Sequence, residues 1–160
     1  MIHNIIGNLL TSNCDYICHQ VNCQGVMGSG IAKQIREKWP CVYDSYRNRL
    51  DYLGLIGVPC EGALGNVDIV LITDSEPDRF VLNLYAQDNY GYSGLRYTSY
   101  DAFALCLGQV SAIVPKGHTI GFPKNIGCGL GGGNWKVIYA LIEEILGKDY
   151  EVYIYEYFGE

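Results

Sequence analysis

The sequence predicts an α/β sandwich in which helices pack on a mixed central sheet. Three observations carry this. Runs rich in β-branched and aliphatic residues alternate with runs of helical periodicity along the chain. Two glycine-rich turns each join a strand-like run to a helix-like one. One pair of strand-like runs is separated only by a polar turn, which reads as an antiparallel hairpin.

Residues 1–6 form a short strand ended by Gly7, and residues 16–21 a second strand bounded by Asp15 and Asn22. The first glycine turn, residues 25–30, opens a helix whose apolar positions Ile31, Ile35 and Trp39 recur at helical spacing, with Ser29 as its N-cap. Pro40 ends that helix and sits at the first position of another, residues 41–51. Residues 65–72 and 79–84 are the hairpin strands around the turn Asp74-Ser75-Glu76-Pro77-Asp78. A glycine- and tyrosine-rich loop, 88–97, leads to a helix over 98–114 capped by Thr98 or Ser99. Residues 118–122 are a buried strand and 135–146 a helix with Ile138, Leu141, Ile142 and Ile145 on one face. Residues 151–158 are the last strand.

The chain has 160 residues, 49% hydrophobic and 18% charged, which describes one ordered domain with a sizeable core. Its net charge of −6 argues against generic nucleic-acid binding, which needs Lys and Arg against phosphates. No run approaches a membrane span, and the N-terminus lacks the basic-then-apolar pattern of a signal peptide. Seven cysteines without a CxxC pair read as reduced thiols in a cytoplasmic protein. Cys14, Cys18, His19 and Cys23 cluster locally, but Cys18 and His19 are strand neighbours on opposite faces, so no metal is expected; nor is a cofactor.

The segment from Pro123 to Trp135 is the most informative. Five of the seven residues from Gly127 to Gly133 are glycine, between a strand and a helix. Glycine lets main-chain N–H groups approach one point, and a helix N-terminus adds unpaired N–H groups with partial positive charge, so this loop suits a phosphate. The spacing Gly127-x-Gly129-x-x-Gly132 matches a dinucleotide fingerprint as a string, but the chain ends after one further strand. A P-loop is excluded because no Lys-Ser or Lys-Thr follows. If the strands before the two glycine loops are neighbours, the loops line one cleft, and two converging anion-binding loops suit a diphosphate.

The run from Gln20 through Asn22, Gly25, Gly28 and Gly30 to Ala32, together with Pro123 to Trp135, resembles the macrodomain, a three-layer α/β/α ADP-ribose-binding fold. The similarity extends from Ile6-Gly7-Asn8-Leu9 through residues 81–87 to the C-terminal β-run. It is nearest to compact bacterial and phage proteins that process ADP-ribose 1″-phosphate, relatives of the terminal ADP-ribose protein glycohydrolases. The resemblance implies that Asn22, Cys23, Val26, Met27, Gly28, Ser29, Gly30 and Ile31 wrap the distal ribose. Gly127, Cys128, Gly129, Leu130, Gly131 and Gly132 would bind the diphosphate, and Asn8 would face the adenine amino group. Family members usually carry Asp at the position of Asn8. The lysine nucleophile and loop aspartate of the glycohydrolases fall on Gln87 and Gly131, which cannot do that chemistry. Asn22, His19 and Asn83 are the remaining catalytic candidates, with Asp88 near the cleft mouth and Tyr90 and Tyr92 as stacking candidates. The expected activity is hydrolysis of an ADP-ribose derivative, by phosphatase action on ADP-ribose 1″-phosphate or release of ADP-ribose from modified protein or nucleic acid. The alternative is a module that binds or sequesters ADP-ribose or a related nucleotide signal without turnover.

Overall fold

A computed structural model describes residues 1–72 and 76–159. The strands are β1 (Ile2–Ile6), β2 (Tyr16–Val21), β3 (Val67–Ile72), β4 (Arg79–Tyr85), β5 (Thr119–Pro123) and β6 (Glu151–Glu156). The helices are α1 (Gly30–Lys38), α2 (Pro40–Leu55), α3 (Tyr100–Ile113) and α4 (Trp135–Leu146), with short 3₁₀ turns at Leu9–Thr11 and Cys60–Ala63. The sheet order is β1-β6-β5-β2-β4-β3, parallel throughout except for the antiparallel β3–β4 hairpin. The hairpin is therefore as expected, although Asp74 and Ser75 of its turn lie outside the described residues.

Alternation along the strands divides the core into two layers. Cys18, Leu82, Leu84, Ile120 and Phe122 pack under Phe103, Leu107, Ile138 and Ile142 of α3 and α4. On the other face Ile17, Val21, Val81 and Tyr85 pack under Ile35 of α1, Val42 and Tyr46 of α2, and Trp39 between the two helices. Strands buried on both faces read as near-continuous apolar runs, which is how β2 and β4 appear in the sequence.

Several boundaries differ from the sequence reading. α2 continues to Leu55, and β6 ends at Glu156, two residues before Phe158. Ser99 caps α3, its hydroxyl accepting from the Ala102 N–H at 3.1 Å. Ser99→Ala should lower stability by about 1 kcal/mol, read from a denaturant melt. Ser29 stands at the N-cap of α1 but makes no side-chain cap bond. Among the described residues, no helix is long and apolar enough to cross a membrane.

β2 and β5 are adjacent and parallel. The chain leaves β2 toward helices on one face and leaves β5 toward α4 on the other. A crevice opens where such connections diverge, outside the carboxyl ends of the strands.

Candidate functional site

That crevice is a cleft of about 400 Å³. One wall is the first loop, from Asn22 through Val26, Met27, Gly28 and Ser29 to Gly30 and Ile31. The other is the second loop, with Gly127, Gly129, Leu130 and Gly131. The two loops thus converge, Met27 and Leu130 facing one space.

The local folding leaves donors unused. In the first loop the N–H groups of Gly28, Ser29, Gly30, Ile31 and Ala32 make no hydrogen bond to any described residue. These include the first turn of α1, where such donors are intrinsic. In the second loop the same holds for Gly127, Gly129, Leu130 and Gly131, while Cys128, Gly132 and Gly133 donate internally. Gly127 (φ 72°) and Gly132 (φ 71°) take the left-handed conformation that favours glycine. Cleft-lining residues therefore carry unused N–H groups, and Lys124 is the one basic side chain among the described lining residues.

Asn22 is tied into its own loop. Its Oδ1 accepts from Tyr46 Oη at 2.6 Å and from the Gln24 N–H at 3.0 Å, and its Nδ2 donates to the Val26 carbonyl at 2.8 Å. The Tyr46 hydroxyl also accepts from the Gly25 N–H at 2.9 Å, and burial raises its pKa.

Gln20 and Gln87 line the cleft and belong to a directed chain of hydrogen bonds. Gln87 Nε2 donates to the Asn89 carbonyl at 2.9 Å, so its Oε1 accepts from Gln20 Nε2 at 2.7 Å. Gln20 Nε2 also reaches Thr98 Oγ1 at 2.8 Å, and Thr98 Oγ1 donates to the Gly127 carbonyl at 2.7 Å. Gln20 Oε1 is left buried without a partner.

Other expected site residues fall outside the cleft. His19 and Asn83 are completely buried on the α2 side of the sheet, where they are register partners. Asn83 Nδ2 donates to Asp68 Oδ2 at 3.1 Å, so its Oδ1 accepts from His19 Nε2 at 2.5 Å; His19 Nδ1 has no partner. Burial pulls His19 down to about 4, keeping it neutral. Cys23 is buried, with burial pushing its thiol up to about 12, so it is no nucleophile at neutral pH. Cys128 and Gly132 also lie outside the cleft lining: Cys128 Sγ donates to the Ile126 carbonyl, and Gly132 abuts the Leu95 and Arg96 backbone. Asp88 holds Gln24 Nε2 at 3.0 Å instead of lining the cleft. It groups with Cys60 and Glu61, ligand atoms within 4.8 Å, and Gln24 Nε2 also lies 3.7 Å from Cys60 Sγ. An amide donor thus already serves that cluster.

Gln87, Tyr90 and Tyr92 line the cleft, as does Gly131. A Cβ at Gly131 would lie 2.6 Å from Thr98 Oγ1 and 2.7 Å from the Gly127 carbonyl, so this loop has no room for an acidic side chain there.

Asn8 lines a second depression of about 300 Å³ that shares Ile31, Pro123, Lys124 and Asn125 with the first. Its Oδ1 accepts from the Leu10 N–H at 2.9 Å. Tyr155, Tyr157 and Phe158 also line it. The sequence reading placed Tyr157 and Phe158 in the last strand, so their exposure past its end was missed. Gln20 and Thr98 were missed too; a polar residue at a strand or helix end carries no periodic signal.

No model of a known protein family matches the chain. It is 26% identical to an uncharacterized 17.5 kDa protein of Enterobacteria phage T4, over 82% of this chain and 80% of that one. It is also 26% identical to the DNA ADP-ribosyl glycohydrolase of Thermus aquaticus, over 98% of this chain but 41% of the relative's length. A Bacteroides thetaiotaomicron protein of unknown function superimposes with a TM-score of 0.79 at 28% identity, covering 98% of each chain. A macrodomain protein from Streptomyces coelicolor does so at 0.75 and 23% identity, over 97% of this chain and 98% of the other. The macrodomain of Thermus aquaticus DarG does so at 0.73 and 22%, over 98% of each.

Proposed function

We infer, from a chain that has the macrodomain fold, that the cleft binds an ADP-ribose derivative and hydrolyses the bond at its distal ribose. The observation that carries the reading is the convergence of two loops whose lining residues offer unused main-chain N–H groups. The diphosphate spans these donors, the distal ribose lies toward Asn22, Tyr90 and Tyr92, and the base enters the depression beside Asn8.

Neither the Gln87 amide nor Gly131 provides a nucleophile or an acid, so the reaction uses water. On ADP-ribose 1″-phosphate, water adds to phosphorus, the bond to the ribose oxygen breaks, and ADP-ribose and phosphate leave. On an ADP-ribosylated macromolecule, the bond from C1″ to its substituent breaks and water supplies the new hydroxyl. The similarity to a DNA ADP-ribosyl glycohydrolase supports this class of reaction.

One observation favours a second reading, a module that sequesters ADP-ribose without turnover. No Asp, Glu, His or Cys is among the described cleft-lining residues. Calorimetry with ADP-ribose, AMP, NAD and ADP tests the binding claim, and lack of preference for ADP-ribose overturns it. Release of phosphate from ADP-ribose 1″-phosphate, or of ADP-ribose from modified DNA, supports hydrolysis. Tight binding without either product supports sequestration.

The base depression yields its own expectation. Asn8→Asp keeps an oxygen for the Leu10 N–H and offers a second to the adenine amine as a charge-assisted bond. ADP-ribose should bind the variant about three- to tenfold tighter by calorimetry, in line with such bonds.

A further inference from the structure

We propose that Thr98 is a positioning residue that holds the second glycine loop with its Gly127 and Gly131 carbonyls turned away from the cleft. The proposal rests on reading that loop as the diphosphate site.

Peptide units between glycines rotate easily, because no Cβ resists either orientation. A unit rotated toward the cleft puts its carbonyl oxygen beside the N–H groups that an anion needs, and the anion is then repelled. The second loop therefore needs a device that fixes which way its peptides face.

Thr98 meets that need from outside the loop. It is 2% exposed and lies just before Ser99, the N-cap of α3. Its hydroxyl donates to the Gly127 carbonyl at 2.7 Å and its N–H to the Gly131 carbonyl at 2.9 Å. Each carbonyl has a second donor, the Gly133 N–H on Gly127 and the Tyr97 N–H on Gly131, both at 2.8 Å. The two carbonyls are engaged on the Thr98 side, and the N–H groups of the same peptide units, those of Cys128 and Gly132, bond within the loop; on the neighbouring units the N–H groups of Gly127, Gly129, Leu130 and Gly131 make no hydrogen bond to any described residue.

The direction of the hydroxyl proton is also set. Gln20 Nε2 donates to Thr98 Oγ1 at 2.8 Å, filling its acceptor capacity on that side and leaving its single proton for Gly127. The glycines permit the approach: a Cβ at Gly127 would lie 3.0 Å from Thr98 Oγ1, and one at Gly131 2.6 Å. The sequence marks Thr98 only as a candidate helix cap, since its effect on a ligand runs through other residues.

Thr98→Val keeps shape and removes the hydroxyl; Thr98→Ser restores it. Calorimetry with ADP-ribose should show Thr98→Val about tenfold or more weaker than the wild type, and Thr98→Ser within about threefold, as expected for a buried hydrogen bond. Adenosine, which lacks the diphosphate, should bind all three alike by NMR titration. In the free proteins, the amide resonances of Gly127, Gly129 and Gly131 should move in Thr98→Val and return in Thr98→Ser. Equal ADP-ribose affinity and unmoved glycine resonances in Thr98→Val overturn the proposal, as does an equal loss for adenosine. Should the wild type itself fail to bind ADP-ribose, the diphosphate reading falls, and the resonances alone decide whether Thr98 sets the loop. If Thr98→Val does not fold, Thr98→Ala carries the same comparison.

Discussion

Gly127→Val is expected to weaken ADP-ribose binding by about 100-fold or more, an amount corresponding to nearly 3 kcal/mol. Two independent conflicts produce this. Gly127 has φ 72°, a conformation that a β-branched residue adopts only under strain of roughly 1–3 kcal/mol. Its Cβ would also lie 2.8 Å from Gln20 Oε1 and 3.0 Å from Thr98 Oγ1. The loop must therefore change course, and unused donors of the second wall leave their places. Calorimetry measures the loss, and a thermal melt separates it from unfolding. An unchanged affinity in a folded variant removes the second loop from the site.

The second large effect concerns pH. His19 is completely buried, its pKa lowered to about 4 from an ordinary 6.5 by burial, against the opposing bond to Asn83. Protonation would fall on Nδ1, which has no partner to accept from it. Between pH 6.5 and 4 the unfolded chain binds this proton and the folded chain does not. The contribution is therefore complete above about pH 6.5, shrinks as the pH falls toward 4, and amounts to roughly 3 kcal/mol over that window. Denaturant melts across the window should show this decline. In His19→Gln, which can still donate to Asn83, that portion of the slope should vanish. A wild-type and variant difference independent of pH refutes the assignment.

Much of the architecture is legible in the sequence because periodicity is a local signal. β2 and α4 have the bounds that their patterns predict, and Pro40 opens α2. The glycine loops are legible as well, since glycine density reports backbone conformation. Sheet order is different: that β2 lies beside β5 follows from pairings across about a hundred residues of chain, and no local pattern encodes it.

The same limit explains the misplaced catalytic candidates. His19 and Asn83 are polar residues in strands buried on both faces, and alternation cannot tell which face opens to a ligand. The structure pairs them with each other beneath α2. Cys23 is adjacent to Asn22, yet its N–H bonds the Asp88 carbonyl and its thiol is buried. Conversely, Gln20 and Thr98 matter through hydrogen bonds that only the assembled sheet and loops create.

The proposed grip on phosphate through neutral main-chain donors has a consequence for competition. A pocket of lysines and arginines pulls in nucleotides, polyphosphates and RNA from a distance, each contending for the same charges. Here the overall field of a chain with net charge −6 pushes such polyanions away, and attraction begins only at contact, where shape must match. Encounter is slower for the right molecule, and an abundance of wrong ones leaves the site vacant for it.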